Sequence, residues 1–182
     1  MRDGNFERLK KVLLRQGEPD RVPFYEHFVD GEIIEAIIGL KFAQFDLNKP
    51  EDKDKYYATL INFYADLGYD YLPFEMGPNL PRDNTLVGQD TAELAHAGGR
   101  GWVDENRGVI NSWADFEKYP WPEPDKILDY SAFEYIKKRL PDGMKIIGGC
   151  AGGVFEHISW LFGLVPLSMA LYDQPDLVQA VA

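Results

Sequence analysis

Three polar clusters carry the side chains able to do chemistry in this chain: Glu26, His27 and Asp30; Asp70 and Glu75; and His157 with Glu156 and Phe155 behind the glycine-rich run Gly148-Gly149-Cys150-Ala151-Gly152-Gly153. A histidine titrates near neutrality, so His27 or His157 could serve as a general base or a metal ligand. A histidine beside aromatic residues is just as able to be a hydrogen-bonded rim residue, and His96 reads that way. Glu26 and His27 are adjacent, so on a regular strand they point to opposite faces. Asp70 lies between two tyrosines in an apolar run. Burying it is costly unless it pairs with a cation or is kept as a neutral acid. Cys150 has no basic neighbour in sequence to lower its pKa and reads as a buried, inert thiol. Four glycines in six positions before a helix would let a ligand or a second backbone approach closely. The run lacks the Gly-Lys-Ser/Thr ending of a phosphate loop, so tight packing of helix on strand is the better account.

Each cluster needs a scaffold, and the periodicity supplies one. Phe6, Leu9, Val12 and Leu13 repeat at helical spacing over residues 5–15 while Arg8, Lys10, Lys11 and Arg15 take the other side, and Gly17-Glu18-Pro19-Asp20 ends that helix. Residues 21–28 are aromatic and β-branched and read as a first strand, with Pro23 at its start or on an edge. Helices follow at 31–39 and 52–68, the second with Tyr56, Leu60, Phe63, Tyr64 and Leu67 on one face and Gly68 to close it. A second strand covers residues 69–75. Residues 76–124 are rich in Gly, Pro and Asn and read as a β-hairpin excursion, with short strands near 85–87, 94–96, 101–103 and 108–110. Ser112 caps a short helix. A helix at 129–140, a third strand at 144–150 and apolar helical segments at 154–161, 165–172 and from Pro175 onward complete the chain.

This βα alternation predicts an α/β fold with a parallel sheet under helical cover. In such folds the site lies at the carboxyl ends of the strands, which is why the three clusters matter. Three strands do not close a barrel, which takes eight βα units and about 250 residues, so the 182 residues read as the N-terminal half of a larger one. A complete small α/β domain is the alternative. The composition is that of a globular protein, 45% hydrophobic and 27% charged. A net charge of −11 argues against nucleic acid and anionic membrane surfaces as partners. One cysteine cannot form an internal disulfide, no stretch approaches the roughly 18 apolar residues of a membrane span, and the start lacks a signal-peptide core. The expectation is a soluble, cytoplasmic protein.

Read in order, the motifs resemble the uroporphyrinogen decarboxylase superfamily over essentially the whole chain. They are the opening helix with the turn Gly17, Pro19, Asp20, Arg21, Val22, Pro23; the segment Gly68-Tyr69-Asp70-Tyr71-Leu72-Pro73-Phe74-Glu75-Met76-Gly77; Ala151-Gly152-Gly153-Val154-Phe155-Glu156; and Tyr172-Asp173-Gln174-Pro175-Asp176-Leu177-Val178. The resemblance implies a (β/α)8 barrel, here its N-terminal portion with an insertion at about 76–124. It also implies either corrinoid- or cobalamin-linked methyl transfer or cofactor-free decarboxylation of a tetrapyrrole in porphyrin biosynthesis. In the decarboxylase an Arg-Gln-Ala-Gly-Arg-Tyr motif grips substrate carboxylates. This chain has Glu26-His27-Phe28-Val29-Asp30-Gly31 there, with no arginine to clamp an acid. Asp70 matches the family aspartate that faces the pyrrole nitrogens, and Trp160 stands where the family has a tyrosine. The methyltransferase branch holds zinc through a histidine and cysteines mostly in the second half of the barrel, where a thiol acceptor would be activated.

The aromatic mouth (Phe24, Tyr25, Phe74, Met76, Phe155, Trp160) suits a small methylated substrate, with a corrinoid or a corrinoid protein as partner. Asp70 is the expected catalytic residue, facing a cavity whose walls are poor in positive charge, with His27, Glu75, Phe155, His157 and Trp160 expected to line the substrate. The decarboxylase alternative would draw arginines from Arg82, Arg100 or Arg107. A third alternative is a non-catalytic fragment or binding module, since half a barrel leaves an unpaired strand edge and an apolar face that favour self-association or a homo-oligomer.

Overall fold

The computed structural model describes residues 4–93, 99–123, 126, 128 and 130–182. The chain is mixed α/β. In order it runs α1 (Phe6–Leu13), α2 (Gly31–Ile38), a 3-10 turn at Phe42–Gln44, α3 (Pro50–Leu67), β1 (Tyr71–Met76), β2 (Thr85–Gln89) and β3 (Gly99–Val103). It continues with α4 (Trp113–Lys118), α5 (Ser131–Lys137), β4 (Lys145–Cys150), α6 (Val154–Phe162), α7 (Leu164–Asp173) and α8 (Pro175–Val181). Its contacts divide it into two compact units, one of residues 1–75 and 129–149, the other of residues 76–128 and 150–182.

In the first unit β1 pairs with β4. The Lys145 N–H donates to Asp70 O and the Ala151 N–H to Met76 O, so the ladder climbs both strands in the same direction and the pair is parallel. Against one face of the pair packs a core of Leu72, Ile61, Tyr64, Ala65, Ile136 and Ile34, with Phe74 and Ile146 partly buried beside it. Helix α3 owes its ends to its residues. Pro50 sits in the first turn with Glu51 and Asp52, and Gly68 closes the helix at φ 85°, a left-handed conformation that a side chain would strain. The expected face of α3 is only part of what it buries. Tyr57, Ile61 and Ala65 are also inside, while Leu67 is exposed.

Residues 21–28 correct the expectation of a first strand. They are extended but join no ladder among the described residues, and side chains hold them beside β1 instead. The Tyr71 hydroxyl donates to Glu26 O (2.5 Å) and accepts from the Glu26 N–H (2.6 Å). Tyr25 stacks on Tyr71, Phe24 packs against Tyr69, and Arg21 donates to Gly68 O.

The second unit contains the expected hairpin. β2 and β3 pair antiparallel with Thr85 opposite Val103, Val87 opposite Gly101 and Gln89 opposite Gly99. The Trp102 indole lies over Gly88, where a Cβ would come within 2.9 Å of the ring. The strand expected at 94–96, with His96, lies outside the described residues, and residues 108–110 form no strand. Their main chain instead crosses the end of α6, with the Val109 and Ile110 N–H groups donating to Leu161 O. Ser112 caps α4 as its position predicts, its Oγ accepting from the Asp115 N–H. Ile110, Leu161, Phe162, Leu167 and Leu177 form this unit's core. The strands make two two-stranded sheets, with no closed barrel among the described residues. No single described helix is long and apolar enough to cross a membrane.

Candidate functional site

Asp70 precedes β1, at the strand's amino end, and is fully buried. The expectation that it faces a cavity poor in positive charge is overturned by its surroundings. Arg8 Nη1 donates to Asp70 Oδ1 at 2.5 Å, Arg21 Nη2 stands 3.2 Å from the same oxygen, and the Asn5 N–H donates to it at 2.9 Å. Arg8 also reaches Asp20 in a two-pronged contact, Nε to Oδ1 at 2.6 Å and Nη2 to Oδ2 at 2.8 Å. That contact holds the Asp20 carboxyl below its ordinary 3.8, at about 2, and the pairing holds the Arg8 guanidinium above its usual range. Buried charges need pairing, which the two guanidinium groups supply while tying α1, the 17–21 turn and the start of β1 together; the three contacts all fall on Oδ1, and Oδ2 is buried without a hydrogen-bond partner. Its geometry is that of a clamp. Arg8, which the helical pattern put on the outer face of α1, is 7% exposed because Asp20 and Asp70 take its charge inward.

Glu75 stands near the other end of β1, about 16 Å along the strand from Asp70 at the usual rise. This is the carboxyl end, where side chains of parallel α/β folds meet substrates. His27 Nε2 lies 3.2 Å from Glu75 Oε1, the two being 58% and 34% exposed. The open backbone of Gly149 lies against Glu75, whose Oε1 would be 3.6 Å from a Cβ there.

His27 and Glu75 border a cavity of about 370 Å³ between α2, α3 and β1. Its walls are Phe28, Phe42, Tyr56, Tyr64 and Phe74 with Ile34, Leu60 and Leu72, and neither lysine nor arginine is among the lining residues. Burial pushes the Tyr64 phenol up to about 12 and raises that of Tyr56, so both are neutral over the physiological range. Glu26 falls on the other side of its segment from His27, as adjacent extended residues should. It borders a separate apolar groove with Asp30, Ile33, Ile37 and Leu67.

Phe155, His157 and Trp160 belong to the second unit and are engaged there. His157 Nε2 is 3.2 Å from Ala151 O, with Trp160 edge-on at 5.0 Å. The Arg82 guanidinium lies over the Trp160 ring at 4.8 Å, and Phe155 is exposed. Asn84, wholly buried, donates from Nδ2 to both Arg107 O and Trp160 O. The Gly153 N–H donates to Glu156 Oε2 at 2.8 Å, so a carboxylate already occupies the start of α6 where a phosphate would have to sit. Cys150 is exposed, which corrects the buried-thiol reading. The last three residues of β4, Gly148, Gly149 and Cys150, are exposed.

The sequence reading named His27, Glu75 and Phe74. It missed Phe28, Phe42 and Leu72 as cavity walls. It also took Tyr56, Leu60 and Tyr64 only as one face of α3. Their recurrence at i, i+4 and i+8 along α3 was the available signal, whereas Phe42, in a short 3-10 turn, gave none. Among the described residues no group of three or more His, Cys, Asp or Glu converges as a metal site. Compared with family models, curated proteins and solved structures, the chain matches none.

Proposed function

We propose that the chain is the N-terminal part of a uroporphyrinogen decarboxylase-like barrel that binds a small methylated substrate beside β1 for corrinoid-linked methyl transfer. The observation that carries this is the His27–Glu75 pair at the mouth of an aromatic cavity with no cationic wall residue. A volume of about 370 Å³ lies at the low end of small-molecule pockets and accepts a short chain or a single ring. A tetrapyrrole is too large for it, and its carboxylate arms would find no guanidinium there. Arg8 and Arg21 are committed to Asp70, and Arg107 to Asp83 O at 2.6 Å.

A corrin ring exceeds the cavity for the same reason, and the described residues do not supply a zinc donor set, so no step is routed through either group. The chain's own part is to hold the substrate against aromatic walls and exchange a proton at the His27 imidazole. Glu75 stands beside the ring and orients it, the role a carboxylate partner plays for a working imidazole.

The test is saturation-transfer NMR on the full chain with methanol, dimethyl sulfide and trimethylamine as probes, alongside methyl transfer to added reduced cobalamin. Binding is expected in the parent and lost when Leu60→Trp fills the cavity. His27→Gln is expected to keep binding and lose transfer by about a hundredfold. No saturation transfer from any probe, or undiminished binding in Leu60→Trp, overturns the proposal.

A further inference from the structure

Five aromatic side chains and one carboxylate converge on the cavity, a combination that a neutral methyl ether or thioether would not require. Phe28, Phe42, Tyr56, Tyr64 and Phe74 supply ring surfaces, and Glu75 is the acidic residue among the lining side chains. Phe42 stands edge to face on Tyr56 at 5.1 Å, and Phe74 is backed edge to face by the buried Tyr57 at 5.9 Å, contacts that fix these wall rings in place. An aromatic ring attracts a cation through its negative face, and a methylated ammonium, with its diffuse charge and weak hydration, gains most from such a box. Lysine and arginine, which would repel it, are missing from the lining residues, and the chain's net charge of −11 raises the local concentration of any cation.

We infer that the cavity recognises a small methylated ammonium ion, held by cation–π contact with its aromatic walls and by the Glu75 carboxylate at its mouth. This rests on the proposed small-substrate reading of the same cavity and adds the charge and chemical class of what fills it. The Tyr56 and Tyr64 hydroxyls, kept protonated by burial, leave the ring faces as the walls' contribution. An anionic or carboxylate-bearing substrate finds no partner here. An uncharged substrate of the same shape gains only the apolar contact.

The experiment separates these cases with a matched pair, choline and 3,3-dimethylbutan-1-ol, its uncharged isostere, titrated into the full chain by calorimetry. Choline is expected to bind about thirtyfold more tightly, equivalent to about 2 kcal/mol. Glu75→Gln and, separately, Tyr56→Leu are expected to reduce that preference about tenfold each. Far-UV circular dichroism and the urea midpoint, compared with the parent, report that each variant is folded. Equal affinity for the two ligands overturns the cation inference and leaves the small-substrate reading standing. Binding of neither overturns both.

Discussion

Asp70 immediately precedes β1 and Glu75 lies near its far end, and the two carboxylates meet opposite kinds of chemistry because a strand has two ends. Asp70, at the amino end, meets two guanidinium groups and a main-chain N–H. Glu75, at the carboxyl end, meets an imidazole and a cavity. Residue types alone make Asp70 the more unusual of the two, a charge among tyrosines, and that signal was correctly read as demanding a partner. Its partners were not legible, because Arg8 lies 62 positions away on a helix whose pattern placed it toward solvent. The pairing predicts a large cost for breaking it. Asp70→Asn leaves a buried Arg8 facing a neutral amide and should lower the unfolding free energy by about 3 kcal/mol, read from the urea midpoint. Asp20→Asn should cost less, since water already screens that exposed carboxylate. A neutral Asp70→Asn chain as stable as the parent would show that the cluster is not the clamp described here.

At the scale of elements, the helices and the hairpin were legible because each has local punctuation: Pro50 and Gly68 around α3, Ser112 before α4, Pro175 at the start of α8. Residues 21–28 were not. Their aromatic, β-branched composition is that of a strand, but whether such a segment enters a ladder depends on distant neighbours, and here its main-chain anchor is the Tyr71 hydroxyl. Both hydrogen bonds to Glu26 go through that one oxygen, one residue before His27. Tyr71→Phe removes them while keeping the stacking on Tyr25. It should cost about 1–2 kcal/mol in stability and weaken choline binding several-fold by loosening His27 from Glu75, as read by calorimetry and by the His27 ring resonances. Unchanged ring resonances would mean that the apolar contacts alone set the segment.

Across the molecule, both units carry large apolar side chains in solvent. Phe28 and Ile37 are exposed in the first, and Phe155, Met169, Leu171 and Tyr172, the last 88% exposed, in the second. The expectation of self-association follows from such surfaces. Sedimentation velocity over a hundredfold range of concentration should give a weight-average coefficient that rises with concentration, and Tyr172→Glu together with Met169→Glu should lower it. A constant monomer value in the parent chain would refute this. What covers these surfaces could not be read from the pattern, because burial on another copy and burial on further chain leave the same apolar stripe.

One consequence concerns how such a pocket changes over generations. His27 rides on a stretch fastened to the scaffold by a phenol and a guanidinium, not by a row of main-chain bonds. Altering either fastener re-aims the imidazole without unzipping a strand. New ligand preferences are thus reachable through one or two codon changes at positions that themselves touch no ligand.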